Sequence, residues 1–368
     1  MSLRTTPPFR ADHVGSLLRP KSINDAFKSY KEGSIDRDGV IAVENAAIKD
    51  AIELQRDIGL KLVTDGEFRR ASYWSTFVDR VNGFEIADSN FTFHDENGEE
   101  QNFTAPIVTD KISRTVSIAG DEFDFLKANS SQIPKITIVS PPTLHMFRLD
   151  KTIQPGIYET TKEYFSDLSR VYQEEINALA SAGCTYIQLD DVPIPMLSDP
   201  KVQHKVKAAG LNPVQLMNDY IDLFNDCLMK RPEGVTVAIH MCRGNYKGKF
   251  LSEGGYEAFA EKFFNKLDVN AFFLEYDSPR AGDFEPLKYV PEDKVVVLGL
   301  VSSKTPQMES HDELRSRIDE ASRFIDMDQL ALSPQCGFAS TVAGNPITID
   351  DQKKKLELVV AVAEKVWS

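Results

Sequence analysis

The stretch Val295-Val296-Val297-Leu298 is a continuous apolar run, rich in β-branched residues, and it decides the fold class predicted for this chain. A strand that is apolar on both faces is typical of parallel sheets, because helices cover such sheets on each side. Seven further short β-rich runs lie elsewhere along the chain, and several of them are also continuously apolar. Together they give eight predicted strands: 9–14, 61–64, 135–139, 186–189, 235–239, 271–274, 294–300 and 329–332.

Amphipathic helical patterns lie between these strands, at 40–58, 157–182, 213–229, 256–266, 312–324 and 350–366. Strands that alternate with helices in this way predict a single (β/α)8 TIM barrel, here one α/β domain over residues 1–368. The alternation breaks between about 82 and 129, where Phe, Thr and Ile alternate with polar residues and Asn97-Gly98 signals a hairpin turn. We expect a β-rich loop insertion there.

The composition excludes several classes of protein. The 368 residues carry a net charge of −14 without a basic patch, so we expect neither nucleic acid nor a membrane surface as a partner. The segment Met1 to Val14 lacks the apolar core of a signal peptide, and no apolar run approaches the roughly 18 residues of a membrane span. With four cysteines and no disulfide framework, the chain is expected in the cytoplasm.

Metal-binding residue types follow three of the predicted strands. His240-Met241-Cys242 comes directly after the fifth strand, Glu275 ends the sixth, and Cys336 lies just past the eighth. Barrel enzymes build their active sites at these carboxyl ends of strands. Two thiolates, an imidazole and a carboxylate form a tetrahedral ligand set for Zn²⁺. The alternative is that these cysteines are small core residues, which is the interpretation we favour for Cys184 and Cys227.

The predicted zinc centre is rich in negative charge, and this bears on its chemistry. Such a centre is poorly suited to generating hydroxide, whereas a substrate thiol that coordinates the metal loses its proton. Glu275 is the ligand that we expect to loosen as the thiol arrives.

Polar residues also gather after earlier strands. His13 and Ser16 follow the first, Glu67 follows the second, and Asp190 ends the fourth. The two carboxylates could bind an ammonium group, and Ser16 with nearby backbone N–H groups could bind a carboxylate. These residues predict an amino-acid site beside the metal, with Asp190 and Glu67 as catalytic carboxylates. The alternative is that the charges only decorate loops or pair with arginines at 69 and 70.

Taken in order, these residues resemble the catalytic half of cobalamin-independent methionine synthase, and more closely the short stand-alone proteins of that family. The resemblance spans the chain. The matching stretches are Asp12-His13-Val14-Gly15-Ser16, Val63-Thr64-Asp65-Gly66-Glu67-Phe68-Arg69, Ile187-Gln188-Leu189-Asp190, His240-Met241-Cys242-Arg243-Gly244-Asn245, Phe273-Leu274-Glu275 and Ser333-Pro334-Gln335-Cys336-Gly337-Phe338.

The resemblance implies methyl transfer to the thiol of homocysteine, with 5-methyltetrahydrofolate or a related compound as donor. It implies zinc ligands at His240, Cys242, Glu275 and Cys336. It places the amino-acid site at Ser16, Glu67 and Asp190. A homo-oligomer is compatible with it.

The chain also departs from that family. It has no room for the second, N-terminal barrel of full-length synthases, and 299–304 lacks the family's proton-donating histidine. Phe147 stands near the position of a pterin-binding tryptophan. A tertiary amine leaves only when protonated, so the missing histidine puts the donor in doubt. Asp191, His13 or Lys304 could supply the proton, or the donor could be a corrinoid.

Three other functions remain open from the sequence. The same zinc could serve another alkyl transfer to a thiol, such as the opening of an epoxide, and would then need no ammonium site. A metal-free barrel enzyme of the porphyrin decarboxylase kind would leave the ligand set unused. A non-catalytic protein with structural zinc would be expected to carry short Cys-x₂-Cys spacings, which this chain lacks.

Overall fold

A computed structural model describes residues 4–368. Its strands are β1 Leu62–Val63, β2 Val81–His94, β3 Glu100–Arg114, β4 Ile133–Pro134, β5 Ile136–Val139, β6 Tyr186–Asp191, β7 Thr236–Met241, β8 Ala271–Glu275, β9 Val295–Val301 and β10 Leu330–Pro334. Its α-helices are α1 Lys21–Lys31, α2 Arg37–Ile58, α3 Ser75–Arg80, α4 Gly120–Asn129, α5 Thr143–Met146, α6 Thr161–Ala182, α7 Pro193–Met196, α8 Pro200–Ala208, α9 Pro213–Leu228, α10 Ala260–Lys266, α11 His311–Ala321 and α12 Ile349–Trp367. Single 3₁₀ turns lie at Leu149–Lys151, Pro279–Ala281, Glu285–Tyr289 and Met327–Gln329.

Six strands form one parallel sheet in the order β10-β9-β8-β7-β6-β5. Each strand lies beside the next one along the chain, and every pairing is parallel. This arrangement confirms an α/β fold and six of the eight predicted strands. It also brings the carboxyl ends of β6, β7, β8 and β10 to one edge, where Asp190, His240, Glu275 and Cys336 lie.

The first two predicted strands are shorter than expected. In the first, Ala11 forms a single parallel bridge with Leu332 of β10, supported by the N–H of Asp12, which donates to the carbonyl of Leu332 at 3.0 Å. The second is reduced to β1, which pairs in parallel with β4. A side-chain bond joins the two segments, because the Thr64 hydroxyl donates to the carbonyl of Gly15 at 2.7 Å.

Local sequence signals set the bounds of the main helices. The Asp36 side chain caps α2, and Gly59, with φ of 96°, ends it in the left-handed conformation that glycine tolerates. Thr160 caps α6, so this helix begins later than the predicted 157. Thr348 and Asp351 form a reciprocal capping box at the start of α12.

The predicted insertion contains a long antiparallel hairpin of β2 and β3. The turn lies at Asp95–Glu99, where the N–H of Gly98 donates to the carbonyl of Asp95 at 3.1 Å, next to the predicted Asn97-Gly98 signal. The last part of the insertion is the helix α4, so the expectation of β structure up to 129 was wrong there. Glu122 and Phe123 are buried on one side of α4 and Lys127 is not, which is the periodicity of a helix packed on a core.

Side chains between the sheet and its helices form one large apolar core. A second, small apolar cluster comes from alternate residues of the strands: Val14, Tyr186, Ala238, Ala271, Phe273, Val297 and Ala331. Beside it the ammonium group of Lys135 lies 2.9 Å from the carboxylate of Asp12, and both side chains are fully buried. Among residues 4–368, no helix combines the length and the hydropathy that crossing a bilayer requires.

Candidate active site

Three of the predicted metal ligands come together at the carboxyl edge of the sheet. His240 lies on β7, Cys242 follows that strand, and Cys336 follows β10. One ligand atom from each residue lies within 4.8 Å of the others, and all three side chains are buried. Neither ring nitrogen of His240 has a hydrogen-bond partner among the described residues. Because buried polar atoms are nearly always bonded, this imidazole and these sulfurs fit a bound soft metal ion such as Zn²⁺.

The sulfurs of Cys242 and Cys336 lie 3.8 Å apart, within hydrogen-bond distance for thiols. This contact lowers the pKa of Cys336 well below its usual range and raises that of Cys242 well above it. The pair therefore carries one negative charge readily, and a cation is needed to hold both sulfurs as thiolates.

Glu275 is buried beside this group but is bonded to cationic and backbone donors. Its Oε1 lies 3.1 Å from Nζ of Lys304 and 3.2 Å from a guanidinium nitrogen of Arg280. Its Oε2 accepts the backbone N–H of Arg243 at 2.7 Å. Burial alone would raise the pKa of Glu275, but the three basic residues lower it to about 2, so the group is a carboxylate. Its role as a fourth metal ligand stays a prediction.

Ser16 lies where the first predicted strand meets the loop after β10. Its hydroxyl oxygen accepts the N–H of Ala339 at 3.3 Å, and its carbonyl accepts the N–H of Phe338 at 3.0 Å. A Cβ atom on Gly337 would overlap the Ser16 hydroxyl, so only glycine lets these two loops approach so closely. The structure thereby joins the two ends of the chain at the site.

Glu67 is held in place by an unusual backbone conformation. Its φ of 60° lies in the left-handed region, which costs a non-glycine residue about 1–2 kcal/mol. The guanidinium of Arg19 bonds its carbonyl at 2.7 Å. Its side chain accepts the hydroxyl of Thr137 at 2.8 Å and lies 3.6 Å from Arg70. Strain of this kind persists where surrounding contacts fix a functional side chain.

Asp190 ends β6 as a buried carboxyl beside the metal-ligand group. Its Oδ1 accepts an N–H of Gln188 at 2.7 Å. Burial, and then the charge of Glu67, raise the pKa of Asp190 to about 7. A cationic group placed between the two carboxyls would relieve this repulsion, which is the environment that an ammonium substrate needs.

Two residues that we considered for substrate or proton transfer lie elsewhere or are already bonded. His13 faces α2, with Nε2 2.9 Å from the Gln55 side chain, and it does not line the active cavity. Asp191 lines the cavity, but the hydroxyl of Ser140 bonds one oxygen at 2.6 Å and the N–H of Ile194 bonds the other at 2.9 Å. The roles predicted for them gain no support from this geometry.

A cavity of about 430 Å³ opens onto the site. Ser16, Glu67, Asp190, His240, Cys242 and Cys336 all line it. Its opposite wall is largely apolar and comes from the hairpin and nearby loops: Tyr73, Trp74, Ile86, Phe93, Phe103, Phe147, Tyr246 and Val342. The β2–β3 insertion therefore covers the active face.

Sequence reasoning missed the residues that position the site. Thr137 lies inside an ordinary buried strand, and Arg280 lies in the short 3₁₀ turn Pro279–Ala281, so neither is marked by a motif. The aromatic residues of the hairpin were visible only as a β-strand pattern. Arg70 was considered from the sequence as a pairing partner of the loop carboxylates; it lies 3.6 Å from Glu67 and also bonds Glu122 and Thr137.

The geometry defines a class: a parallel α/β fold with an imidazole and two thiols close together at the carboxyl edge of its sheet, where they could hold a metal ion. The comparison of sequences then gives the family. The chain belongs to the cobalamin-independent synthase family, whose catalytic domain matches residues 9–365. This finding confirms the resemblance inferred from the motifs.

Individual relatives extend over the whole chain. The uncharacterized protein YxjH of Bacillus subtilis is 38% identical over 98% of this chain and 95% of its own length. A methionine synthase from Sulfolobus acidocaldarius is 23% identical over 88% of this chain and 84% of its own. The crystal structure of a Listeria monocytogenes protein, provisionally named a vitamin-B12-independent methionine synthase, superposes with a TM-score of 0.78 at 33% identity, covering 99% of this chain and 100% of that one.

Proposed function

We propose that this enzyme transfers a methyl group to the thiol of homocysteine and releases methionine. The observation that carries the proposal is the buried His240–Cys242–Cys336 group, which shares one cavity with the carboxyls of Glu67 and Asp190. A thiol site next to an ammonium site fits an amino acid whose side chain ends in a thiol. Relatives named methionine synthase support this assignment.

The proposed metal is Zn²⁺, held by His240, Cys242 and Cys336, with Glu275 as a fourth ligand in at least one state of the site. The two soft sulfur donors and the unpartnered imidazole favour zinc over hard cations. When bound, zinc deprotonates a coordinating thiol and leaves it nucleophilic at neutral pH.

The amino-acid end of homocysteine would lie between Ser16 and the two carboxyls. Asp190 and Glu67 would accept hydrogen bonds from the substrate ammonium group, and its positive charge would favour the ionised form of Asp190. Ser16 and the backbone around it bind the substrate carboxylate. These contacts would hold the amino-acid end of the substrate in one position, so that its thiol reaches the donor in one orientation.

The apolar wall of the cavity would bind the methyl donor. Phe93, Phe103 and Phe147 form a continuous aromatic group, with ring centroids 4.9 Å and 5.0 Å apart. Such a surface fits the flat ring system of a methylated pterin. In the reaction the sulfur forms a bond to the methyl carbon, and the donor nitrogen keeps the pair of the broken C–N bond and takes a proton. The proton donors considered from the sequence are already bonded, Asp191 to Ser140 and Ile194 and Lys304 to Glu275, so the geometry favours neither of them for this step.

Several architectural predictions belong to the same proposal. We infer that the six-stranded sheet, the β1–β4 pair and the Ala11 segment close into one (β/α)8 barrel that forms a single catalytic domain. The bonds from Asp12 to Leu332 and from Thr64 to Gly15 support closure. Free thiols at all four cysteines fit a reducing cytoplasm. A homo-oligomer and the exclusion of nucleic acid and membranes stay predictions.

Zinc-edge X-ray absorption of the purified protein, with and without L-homocysteine, tests the function. We expect the zinc shell to gain one sulfur when homocysteine is added. If the zinc shell contains two sulfurs and does not change when homocysteine is added, the metal site would be supported but homocysteine would be contradicted as the substrate. A protein that binds no zinc would contradict the proposal altogether.

A further inference from the structure

The carboxylate of Glu275 is fully buried and has donors on both oxygens. Lys304 and Arg280 both bind Oε1, at 3.1 Å and 3.2 Å, while the backbone N–H of Arg243 binds Oε2 at 2.7 Å. The side chains of Lys304 and Arg280 are largely buried, with 7% and 12% of their surface accessible to solvent. Burying two cations for one carboxylate is expensive, so their convergence on one oxygen calls for a functional explanation.

The position of Glu275 relative to the metal ligands supplies this explanation. It ends β8, which pairs with β7, the strand of His240. The residue that bonds its Oε2, Arg243, directly follows the ligand Cys242. Yet Glu275 is not part of the group of ligand atoms within 4.8 Å of one another, which consists of His240, Cys242 and Cys336. The carboxylate thus lies at the border of the ligand group and is turned towards cations.

Lys304 also has a second acidic neighbour. It lines a separate polar cavity of about 550 Å³ together with Asp277. One carboxylate oxygen of Asp277 is buried and has no hydrogen-bond partner among the described residues. If Glu275 turned towards the metal, the ammonium group of Lys304 could pair with Asp277 instead. Glu275 can therefore break its ion pair with Lys304, because Asp277 can then pair with the buried ammonium group.

We propose that Lys304 and Arg280 are positioning residues that hold Glu275 off the metal and so keep one coordination position for the substrate thiol. The inference rests on the proposed function and deepens it. Replacing a carboxylate by a thiolate leaves the formal charge of the centre unchanged. The displaced carboxylate nevertheless needs a partner in the dry interior, and these two cations provide it. Without them, Glu275 stays on the metal and competes with homocysteine.

Lys304→Met tests the inference, with Lys249→Met as matched control. Lys249 lines the same polar cavity but pairs with Asp95 and Glu99, not with Glu275. The readouts are zinc affinity by competition with a chelator, and the visible absorption of the Co²⁺-loaded protein during titration with L-homocysteine. In Lys304→Met we expect zinc to bind roughly tenfold more tightly and homocysteine to bind roughly tenfold more weakly, since partners outside the ligand shell have effects of that size. Lys304→Arg should restore both values, and Lys249→Met should match the wild type.

Unchanged zinc affinity and an unchanged cobalt spectrum in Lys304→Met would overturn the inference. Weaker zinc binding would overturn it as well, because Lys304 would then support the ligand set. If Lys304→Met unfolds, Arg280→Met removes the other cation from the same oxygen at a less buried position, and the same outcomes apply. A wild-type protein without zinc would refute the proposed function itself. If the wild type binds zinc and both Lys304→Met and Arg280→Met match it in zinc affinity and in the cobalt spectrum, only the role of these two cations would be refuted.

Discussion

Cys242 and Cys336 are 94 positions apart in the sequence, yet their sulfurs lie 3.8 Å apart. The pairing arises because parallel strands that follow one another along the sheet all end at the same edge. Although β7 and β10 are separated in the sheet by β8 and β9, Cys336 lies only two residues beyond β10, and the N–H of Gln335 before it still donates to the carbonyl of Val301 on β9 at 2.8 Å. Curvature of the sheet, and not a long loop, therefore accounts for the approach of Cys336 to Cys242. The metal group thus depends on the shape of the sheet and not on a local motif.

Cys336→Ser should abolish zinc binding and thiol alkylation together. A serine hydroxyl is a hard, poorly ionised donor, whereas the site is built from soft ligands. We expect zinc, measured by atomic emission after dialysis, to fall from about one ion per chain to a trace. Cys184→Ser, which alters a buried thiol outside the site, is the control and should retain its zinc. If Cys336→Ser kept both zinc and activity, the assigned centre would be wrong.

Asp190→Asn should selectively weaken the binding of homocysteine. The substituted amide keeps the shape of the side chain but loses the charge that faces the ammonium group. Truncating one partner of a buried charge pair costs at least about 2 kcal/mol, which corresponds to a rise of about 30-fold in KM. A small thiol without an amino group should react equally well with both proteins. Equal KM values for homocysteine would instead favour an alkyl transfer that uses no ammonium site.

Phe103→Ala should weaken the binding of the methyl donor and leave the binding of homocysteine unchanged. Phe103 is a partly buried hairpin residue that contacts Phe93 and Phe147 in the cavity wall. Losing an aromatic contact of about 1.5 kcal/mol predicts roughly a tenfold higher KM for methyltetrahydrofolate in steady-state assays. Phe125→Ala, outside the cavity, serves as the control. A change confined to homocysteine would contradict the assignment of this wall.

Acid should destabilise the protein through two buried neutral histidines. Burial lowers the pKa of His13 to about 3 and that of His145 to about 4, from an ordinary value of 6.5. At these two sites the unfolded chain binds more protons than the folded one between pH 4 and pH 6.5, so the contribution of the two histidines to the free energy of unfolding rises with pH across this window. Each histidine should lower the free energy of unfolding by roughly 3 kcal/mol at the acid end of this pH window.

His145→Asn isolates one of these contributions. Urea unfolding of the wild type and the variant, at pH 4 and at pH 6.5, should show a smaller loss of stability for the variant. The control is His204→Asn on α8, a histidine outside the buried set. Parallel curves for wild type and His145→Asn would show that folding does not lower the pKa of His145.

Ligand types at strand ends led us to group His240, Cys242 and Cys336, and the structure brings these three side chains together because the carboxyl ends of parallel strands converge. Their role as metal ligands stays a prediction. The same reasoning misplaced His13, since a short, irregular first strand does not fix which way its side chains point. Tyr256 was expected to begin a helix, but its hydroxyl bonds Arg243 and the N–H of Glu275, and the helix starts at Ala260.

Some features lay beyond sequence reasoning for physical reasons. The hairpin pattern gave the strands β2 and β3, but not the fact that their aromatic residues cover the cavity, because that depends on tertiary packing. The ion pair of Lys304 with Glu275 joins a loop residue to the last residue of β8, and a single basic residue in a loop carries no signal of its partner. Arg280 is invisible for the same reason.

The dependence of the metal group on Cys336 has a consequence for biosynthesis. Cys242 leaves the ribosome 94 residues before Cys336. A nascent polypeptide that ends between these two residues holds an incomplete set of the proposed ligands. On the proposed function, the protein would therefore take up its metal only after Cys336 has been made.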